Sequence, residues 1–527
     1  VKTLLALDAG TSACKAEVFT PEGRSVSSGV SGYGRESAGP GQTELAPEAL
    51  RAAAIAAVRE ALAGTDPRQI AGVGVSAQLG LASVDRDGRP VGSLITWADP
   101  RGAEQARSIA QRFGESEMYS TCGRRVSPEW ILPRILHLRE TDPEHWSRAE
   151  THLSIKDFLL LELTGRRLTD PTHASYTLAY DVVNRRWSTD ILKTMDIPPE
   201  TLPEVVPSDQ IAGETGEARA KEMGLPSGLP VIVGGPDGTL AALGAGLVDE
   251  GRAIVVVGTT DVVFTCSRTP VFDPQRGTVV NCYAVPDRWA LGGPMSSTGG
   301  CLEWFAGTFA RAEVDEAARK GISPYSHLDE LAATVPPGSE GLLCIPSLVG
   351  ERAPHWQPHR RGVFFGLSTR HGVGHMTRAI LEGSAFASRV MVERLESCGV
   401  SVNEIVLAGG GAKSRLWSQI RTDVLDRPVR VPEVTSATNL GTALLLAVAL
   451  GHHPDCATAA EKMVAFRDRF EPDHTQRDHY RSLYAAYLDL RAALGPPAQS
   501  LAETAREEPD PAAGRPRIIR GSEEPST

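Results

Sequence analysis

At 527 residues the chain is too long for a single hydrophobic core, so two large domains are expected. The composition, 41% hydrophobic and 23% charged, is that of an ordinary soluble protein, and a net charge of -11 without a basic stripe argues against nucleic acid as a partner. Eight cysteines (Cys14, Cys122, Cys266, Cys282, Cys301, Cys344, Cys398, Cys456) show no C-x-x-C spacing, the N-terminus starts with strand residues, and no apolar run is long enough to span a membrane, so the expectation is a cytoplasmic protein without disulfides, zinc, signal peptide or membrane partner.

The segment Thr3-Leu-Leu-Ala-Leu-Asp8 reads as an apolar strand ending in a carboxylate. Ala9-Gly-Thr-Ser12 is a tight turn, Lys15 to Thr20 resumes an alternating strand, and a third strand follows near Val26 to Val30. The opening is therefore a hairpin with an acid at its mouth. Backbone N–H groups of Gly10, Thr11 and Ser12 at such a tip suit phosphate oxygens, and Asp8 suits Mg2+ held through water. An ordinary polar hairpin is the competing reading.

Pro47 to Leu62 has helical apolar spacing, and Ile70 to Ser76 is the next strand, ending at Gln78 and Gly80. Ile95-Thr-Trp-Ala-Asp-Pro-Arg101 is an apolar run ending in polar groups. Gln78, Trp97, Asp99 and Arg101 offer a stacking face, donors and acceptors to a hydroxylated ligand, against a core tryptophan and a surface ion pair as the plainer alternative. Glu104 to Leu161 is mostly helical, and His173, in a hydroxyl-rich stretch with Asp170, reads as structural.

Val231-Ile-Val-Gly-Gly-Pro-Asp-Gly-Thr-Leu240 is a buried strand stopped by a turn, with a small-residue helix, Thr239 to Gly246, behind it. Asp237 sits where open α/β sheets place ligands. It suits a catalytic carboxylate, or a helix cap.

Ala253 to Val257, Gly258-Thr-Thr-Asp261 and Val262 to Phe264 repeat the opening design, which points to two related domains facing across a cleft with a boundary near residue 250. Strands follow at Trp289 to Gly293 and Gly341 to Pro346, and Ser296 to Gly300 leads into a helix. Glu351 and Arg352 read as a buried pair or as surface charges. Ile405 to Ala408 runs into Gly409-Gly-Gly-Ala-Lys-Ser414, whose bare backbone suits a base or a phosphate. Asn439 to Leu450 is an apolar helix placed behind the same ligand, the last folded helix spans Asp478 to Leu494, and 495–527 reads as a disordered tail.

In this order the stretches resemble the FGGY family of carbohydrate kinases over about residues 2 to 490. Gly362-Val-Phe-Phe-Gly-Leu367 with His375 to Glu382 is similar to the family's C-terminal signature, and Gly350 to Trp356 and Gly409 to Ser414 resemble further blocks. The resemblance implies an α/β fold of two actin-like (ribonuclease H-like) ATPase domains, 1–250 and 251–494, with ATP in the central cleft. It implies Asp237 as catalytic base and a metal contact. Asp8, Gly10 and Thr11 match the first phosphate loop and Gly258, Thr259 and Thr260 the second, with Gly409, Gly410, Gly411 and Asn439 also on the nucleotide.

Three departures bear on the subfamily. Xylulose kinases of the family usually carry Gln-Met-His-Gly where this chain has Gln78-Leu-Gly80. Thr96-Trp-Ala-Asp99 is closer to the gluconate kinases. Asp261 replaces a small residue, and either points away from the phosphates or helps hold metal. The expectation is phosphorylation of a primary hydroxyl on a small sugar or polyol, a pentulose such as D-xylulose first and gluconate as the alternative, with Mg2+ and ATP. An actin-like ATPase without a small-molecule acceptor is the alternative of another class. A homodimer is compatible with the sequence.

Overall fold

The structure is a computed structural model describing residues 2–34, 42–295, 297–433 and 436–506. All seven residues of the strand Thr3–Ala9 are buried, as in the middle of a sheet covered on both faces. This strand pairs antiparallel with Ala13–Phe19, through the hairpin read from the sequence, and parallel with Ile70–Ala77. Ser25–Gly32 extends one side of this sheet, and Pro230–Ile232 and Ile211–Glu214 the other. The helix Pro47–Ala61 packs its buried face, including Leu50, Ala54, Ala57 and Val58, beside the hairpin.

The same plan recurs downstream. Gly251–Val256 pairs antiparallel with Val262–Ser267 and parallel with Val402–Ala408. The weak repeat between Leu4–Phe19 and Ala253–Phe264 is thus a repeat of sheet topology. Trp289–Pro294 and Val279–Cys282 complete one side of this second sheet, and Val429–Pro432 and Phe466–Phe470 the other.

Two helices cross between the sheets. Asp237–Gly244 starts two residues earlier than its sequence pattern suggested, and Ala437–Ala449 carries Asn439. They meet at Gly244 and Gly441, where the backbones approach too closely for a side chain.

Several helices between the strand Leu94–Thr96 and residue 202 form a separate apolar cluster, which includes Ile109, Leu132, Ile135 and Leu192, whereas the helix Ile155–Thr164 packs into the core of the first sheet. This layer docks on the free edge of Val279–Cys282. Val280 donates its backbone N–H to the Gly123 carbonyl at 2.7 Å, and Cys282 donates to the Ser175 hydroxyl at 3.1 Å.

Two expectations change. The tail is not irregular from 495 onward, because Gly495–Arg506 is a helix. Its prolines, Pro496 and Pro497, lie in the first turn, where no intrahelical N–H is required. The rest of the tail, 507–527, and Ser296 lie outside the described residues. Glu351 and Arg352 do not pair with each other. Glu351 is held by Arg360 at 2.9 Å and by Arg491, whereas Arg352 reaches Glu129 at 3.3 Å. Among the described residues no helix is long and apolar enough to cross a membrane.

Candidate functional site

Asp8 and Asp237 stand at the carboxyl ends of two strands that flank Ile70–Ala77 on opposite sides. Asp8 lies opposite Ser76 in the parallel pair, and the Ser76 hydroxyl donates to its Oδ1 at 2.7 Å. Gly235 and Pro236 pair with Ser76 and Ala77, so Asp237 emerges just past that sheet edge. Its carboxylate does not cap the helix it begins. The cap position is Pro236, and the one hydrogen bond that reaches the carboxylate comes from the adjacent Gly238 N–H, at 2.6 Å. Asp237 is half-buried. Burial pushes Asp237 up to about 7, and the charge of Asp8 adds to the shift. Asp8 is also raised, by burial first, against Ser76 and Lys15.

A buried ionic cluster supports the Asp237 strand from beneath. Lys156 donates to the Val233 carbonyl at 3.0 Å and pairs with Asp157 at 2.7 Å and Asp170 at 3.1 Å. Asp170 accepts His173 Nδ1 at 2.7 Å and the N–H groups of Thr172 and His173. His173 is structural, as its context suggested.

Three turns carry the phosphate and nucleotide candidates of the sequence. In the first, the Gly10 carbonyl accepts from Gln78 Nε2 at 3.0 Å and from the Tyr33 hydroxyl. Gln78 is buried and braces this turn from below rather than standing free for a ligand, although its Oε1 has no partner. The second turn, Gly258 to Thr260, lies against the helix Thr298–Thr308: Gly300 donates to the Thr259 carbonyl at 2.9 Å. The third is Gly409 to Gly411. Here Gly409 has φ +84°, and nothing lies within 4 Å of where a Gly410 side chain would be, leaving bare backbone toward the solvent. Asn439 is buried, and its Oδ1 has no hydrogen-bond partner among the described residues. The Asp261 carboxylate is engaged inside the protein, by an ion pair with Arg421 at 2.6 Å and by the backbone of Gly258 in its own turn. It is not placed to hold metal.

The remaining sequence candidates divide. Trp97 is exposed, a free stacking face. The Asp99 carboxylate is consumed by Arg101, at 2.8 and 2.9 Å, and by the Thr43 N–H at 2.7 Å, so it shapes its loop and offers no free oxygen. Sequence reasoning missed Arg134, which donates to the Trp97 and Asp99 carbonyls at 2.8 and 2.9 Å. It also missed Arg124, Tyr176 and Asn281. The wholly buried Arg124 guanidinium lies 4.1 Å from the Tyr176 ring centroid and 4.3 Å from that of Trp130. It bonds the Asn281 amide oxygen, while its Nε and Nη1 have no acceptor. Burial lowers its pKa, and Glu129, a nearby acid, is engaged by Arg352. Burial pushes the Tyr176 phenol up, the Arg124 guanidinium opposes that, and the charge of Asp237 adds to it. Only the Gly-Arg-Arg run at 123–125 hinted at a cation here, without a motif around it.

Two carboxylates whose pKa values burial raises, the Asp8 charge adding to the shift of Asp237 and Ser76 and Lys15 opposing that of Asp8, form a donor set suited to a divalent ion held mostly through water. Among the described residues no group of three or more His, Cys, Asp or Glu forms a fuller metal cage. Asp8 and Asp237 therefore fit Mg2+, and a dedicated protein site for a softer metal is not built.

Comparison with known proteins matches residues 3–244 to the N-terminal domain of the FGGY family of carbohydrate kinases and residues 253–450 to its C-terminal domain. The chain is 31% identical over 494 residues to a gluconokinase of Bacillus subtilis, covering 93% of this chain and 96% of that one. A xylulose kinase and a gluconate kinase of Lactobacillus acidophilus both superpose with a TM-score of 0.87 at 25% identity over 95% of this chain, covering 100% and 99% of theirs. The architecture is that of these two-domain actin-like, ribonuclease H-like folds.

Proposed function

We infer the reaction from one premise: this chain belongs to the FGGY family of carbohydrate kinases. It is an ATP-dependent sugar kinase, and the reading proposed for its site is the following. A primary hydroxyl of the acceptor lies against Asp237, which takes its proton as the oxygen attacks the γ-phosphorus in line. The N–H groups of the Gly10 to Ser12 and Gly258 to Thr260 turns orient the phosphates, and Asn439 and the Gly409 to Gly411 turn receive the rest of the nucleotide. Asp8 and Asp237 would hold Mg2+, which when bound would supply positive charge beside the transferring phosphoryl group. The observation that carries this reading is a half-buried carboxyl near pKa 7, free of any capping role, beside a second acid at one sheet edge.

A pentulose acceptor, the first expectation, gives way to a sugar acid on a specific observation. A buried guanidinium without a carboxylate partner is costly, and Arg124 has two nitrogens without an acceptor and packs on Tyr176, whose phenol feels the charge of Asp237. A carboxylate on the acceptor, bound with the two units apart and enclosed as they close, supplies that partner. Relatives of both kinds, gluconate and xylulose kinases, surround the chain.

The test is ADP release with Mg-ATP against aldonic acids, pentuloses, glycerol and tetritols. Asp237→Asn should keep nucleotide binding and lose at least about 100-fold in turnover. Arg124→Met should raise KM for an aldonate by about tenfold or more while leaving any neutral sugar little changed. Full activity of Asp237→Asn removes the base assignment. A neutral sugar as the best substrate, indifferent to Arg124→Met, removes the acid reading.

A further inference from the structure

Asp261 and Arg421 are 160 positions apart and completely buried against each other. Asp261 follows the second Gly-Thr turn. Its Oδ2 accepts from Arg421 Nη2 at 2.6 Å, its Oδ1 accepts from the Thr298 hydroxyl, and its backbone carbonyl accepts the Met295 N–H at 2.8 Å. The other arm of Arg421 donates to Ser388 Oγ at 2.6 Å. The guanidinium lies 4.9 Å from the ring centroid of Trp417, whose indole N–H donates to Ser384 Oγ at 2.8 Å.

Arg421 belongs to the helix Arg415–Leu425, which starts just after the Gly409 to Gly411 turn with Ser414 as its cap. The ion pair therefore ties the end of one turn to the helix that leaves the other. At their roots the same two turns are joined directly. Val257 donates to the Ala408 carbonyl at 2.8 Å and accepts the Gly411 N–H at 3.1 Å. A side chain on Gly411 would lie 2.2 Å from Val257 Cγ1. Backbone bonds thus fix one end of the assembly and the ion pair the other.

Stability alone is a weak reason for such a pair, because well-packed apolar residues often replace buried ions without loss. Burial raises the Asp261 carboxyl, while Arg421 and Thr298 oppose that shift. What the pair supplies is direction: two fixed acceptor oxygens and a two-armed guanidinium that set one turn at a defined height against the other.

We propose that Asp261 and Arg421 are positioning residues for the nucleotide, holding the Gly258 to Thr260 turn in register with the Gly409 to Gly411 turn. The proposal rests on reading these two turns as nucleotide-binding. Neither residue touches the acceptor.

The experiment titrates Mg-ADP into the wild-type chain and an Asp261→Ser/Arg421→Met double variant by calorimetry, with KM for Mg-ATP and for the acceptor measured alongside. The double variant removes both charges together, so no lone buried ion remains. The expected result is a rise of about tenfold or more in Kd for Mg-ADP and KM for Mg-ATP, with KM for the acceptor within about twofold. Unchanged nucleotide affinity overturns the proposal, as does an equal loss for nucleotide and acceptor. Should the double variant not fold, Asp261→Asn, which keeps hydrogen-bonding atoms but removes the charge, is judged by the same split between nucleotide and acceptor. A wild-type chain that binds Mg-ADP but phosphorylates no acceptor sinks the kinase reading and leaves the register test intact. One that binds no Mg-ADP overturns both.

Discussion

A Cβ atom placed on Gly441 would lie 1.9 Å from the Leu240 carbonyl oxygen, and one on Gly244 would lie 2.7 Å from the Gly441 backbone nitrogen. The two crossing helices thus meet backbone to backbone. Each carries a candidate site residue near its start, Asp237 on one and Asn439 on the other. The Thr438 hydroxyl also lies 3.4 Å from the Asp237 carbonyl. Gly441→Ala must push the helices apart, as overpacking costs about 1–3 kcal/mol. The expected outcome is a lower melting temperature together with a fall of about 100-fold in kcat/KM, since small displacements at a reacting centre cost that much. An alanine variant with normal kinetics would show that the crossing does not set the site's geometry.

The raised carboxyl of Asp237 makes a prediction about stability as well as rate. In the folded chain it holds its proton up to about pH 7, whereas in the unfolded chain it does so only to about pH 4. Between those values the native state binds the extra proton, so this group's contribution to stability falls as pH rises through the window. Asp237→Asn should therefore be more stable than wild type at pH 8, by about 2 kcal/mol after allowing for solvent access, and equal to it at pH 4. Denaturant unfolding at the two pH values reads this directly. The wild-type kcat/KM should rise with pH toward a plateau above about 7.

Lys156→Met leaves Asp157 and Asp170 buried without their shared cation. Lys156 is the main opposing influence that, with His173, holds the Asp170 carboxyl far below the usual range against burial. Losing one partner of a buried pair costs about 3–5 kcal/mol, so the variant should melt well below wild type. Because the folded Asp170 pKa is depressed, its stabilisation exists above the unfolded aspartate value and is lost as acid titrates through the folded one. The variant's deficit should therefore be large at pH 7 and shrink in strong acid. A deficit independent of pH would assign it to packing.

Arg134 holds the loop that presents Trp97 through two backbone carbonyls. Arg134→Met should raise KM for the acceptor by about tenfold and leave Kd for Mg-ADP unchanged, because the loop lies on the acceptor side. Steady-state kinetics with ADP calorimetry separates the two.

What the sequence disclosed follows the range of the forces involved. The hairpin tips were legible because strand, turn and strand are contiguous, and Asp237 because a carboxylate straight after a buried strand and a Gly-Gly-Pro turn has few places to go. The engagement of the Asp99 carboxylate was not legible because its partner, the Thr43 N–H, lies 56 positions away, just before a short strand no local pattern announces. The Arg124–Asn281 and Asp261–Arg421 contacts span 157 and 160 positions. Each member looks like an ordinary polar residue until the second unit folds on itself, for Asp261 and Arg421, or against the first, for Arg124 and Asn281. The helix Gly495–Arg506 was hidden by its two prolines, which break a helix only when they fall beyond its first turn.

The edge strand Val279–Cys282 has a consequence for assembly. Its outer rim is occupied by Gly123 and Ser175 of the first unit, so no open backbone ladder is offered there to a second copy of the chain. Cutting the chain in two near residue 250 would bare that rim, and an isolated second half should associate through it or precipitate. Expressing the two halves together should restore solubility, since the first half shields the rim.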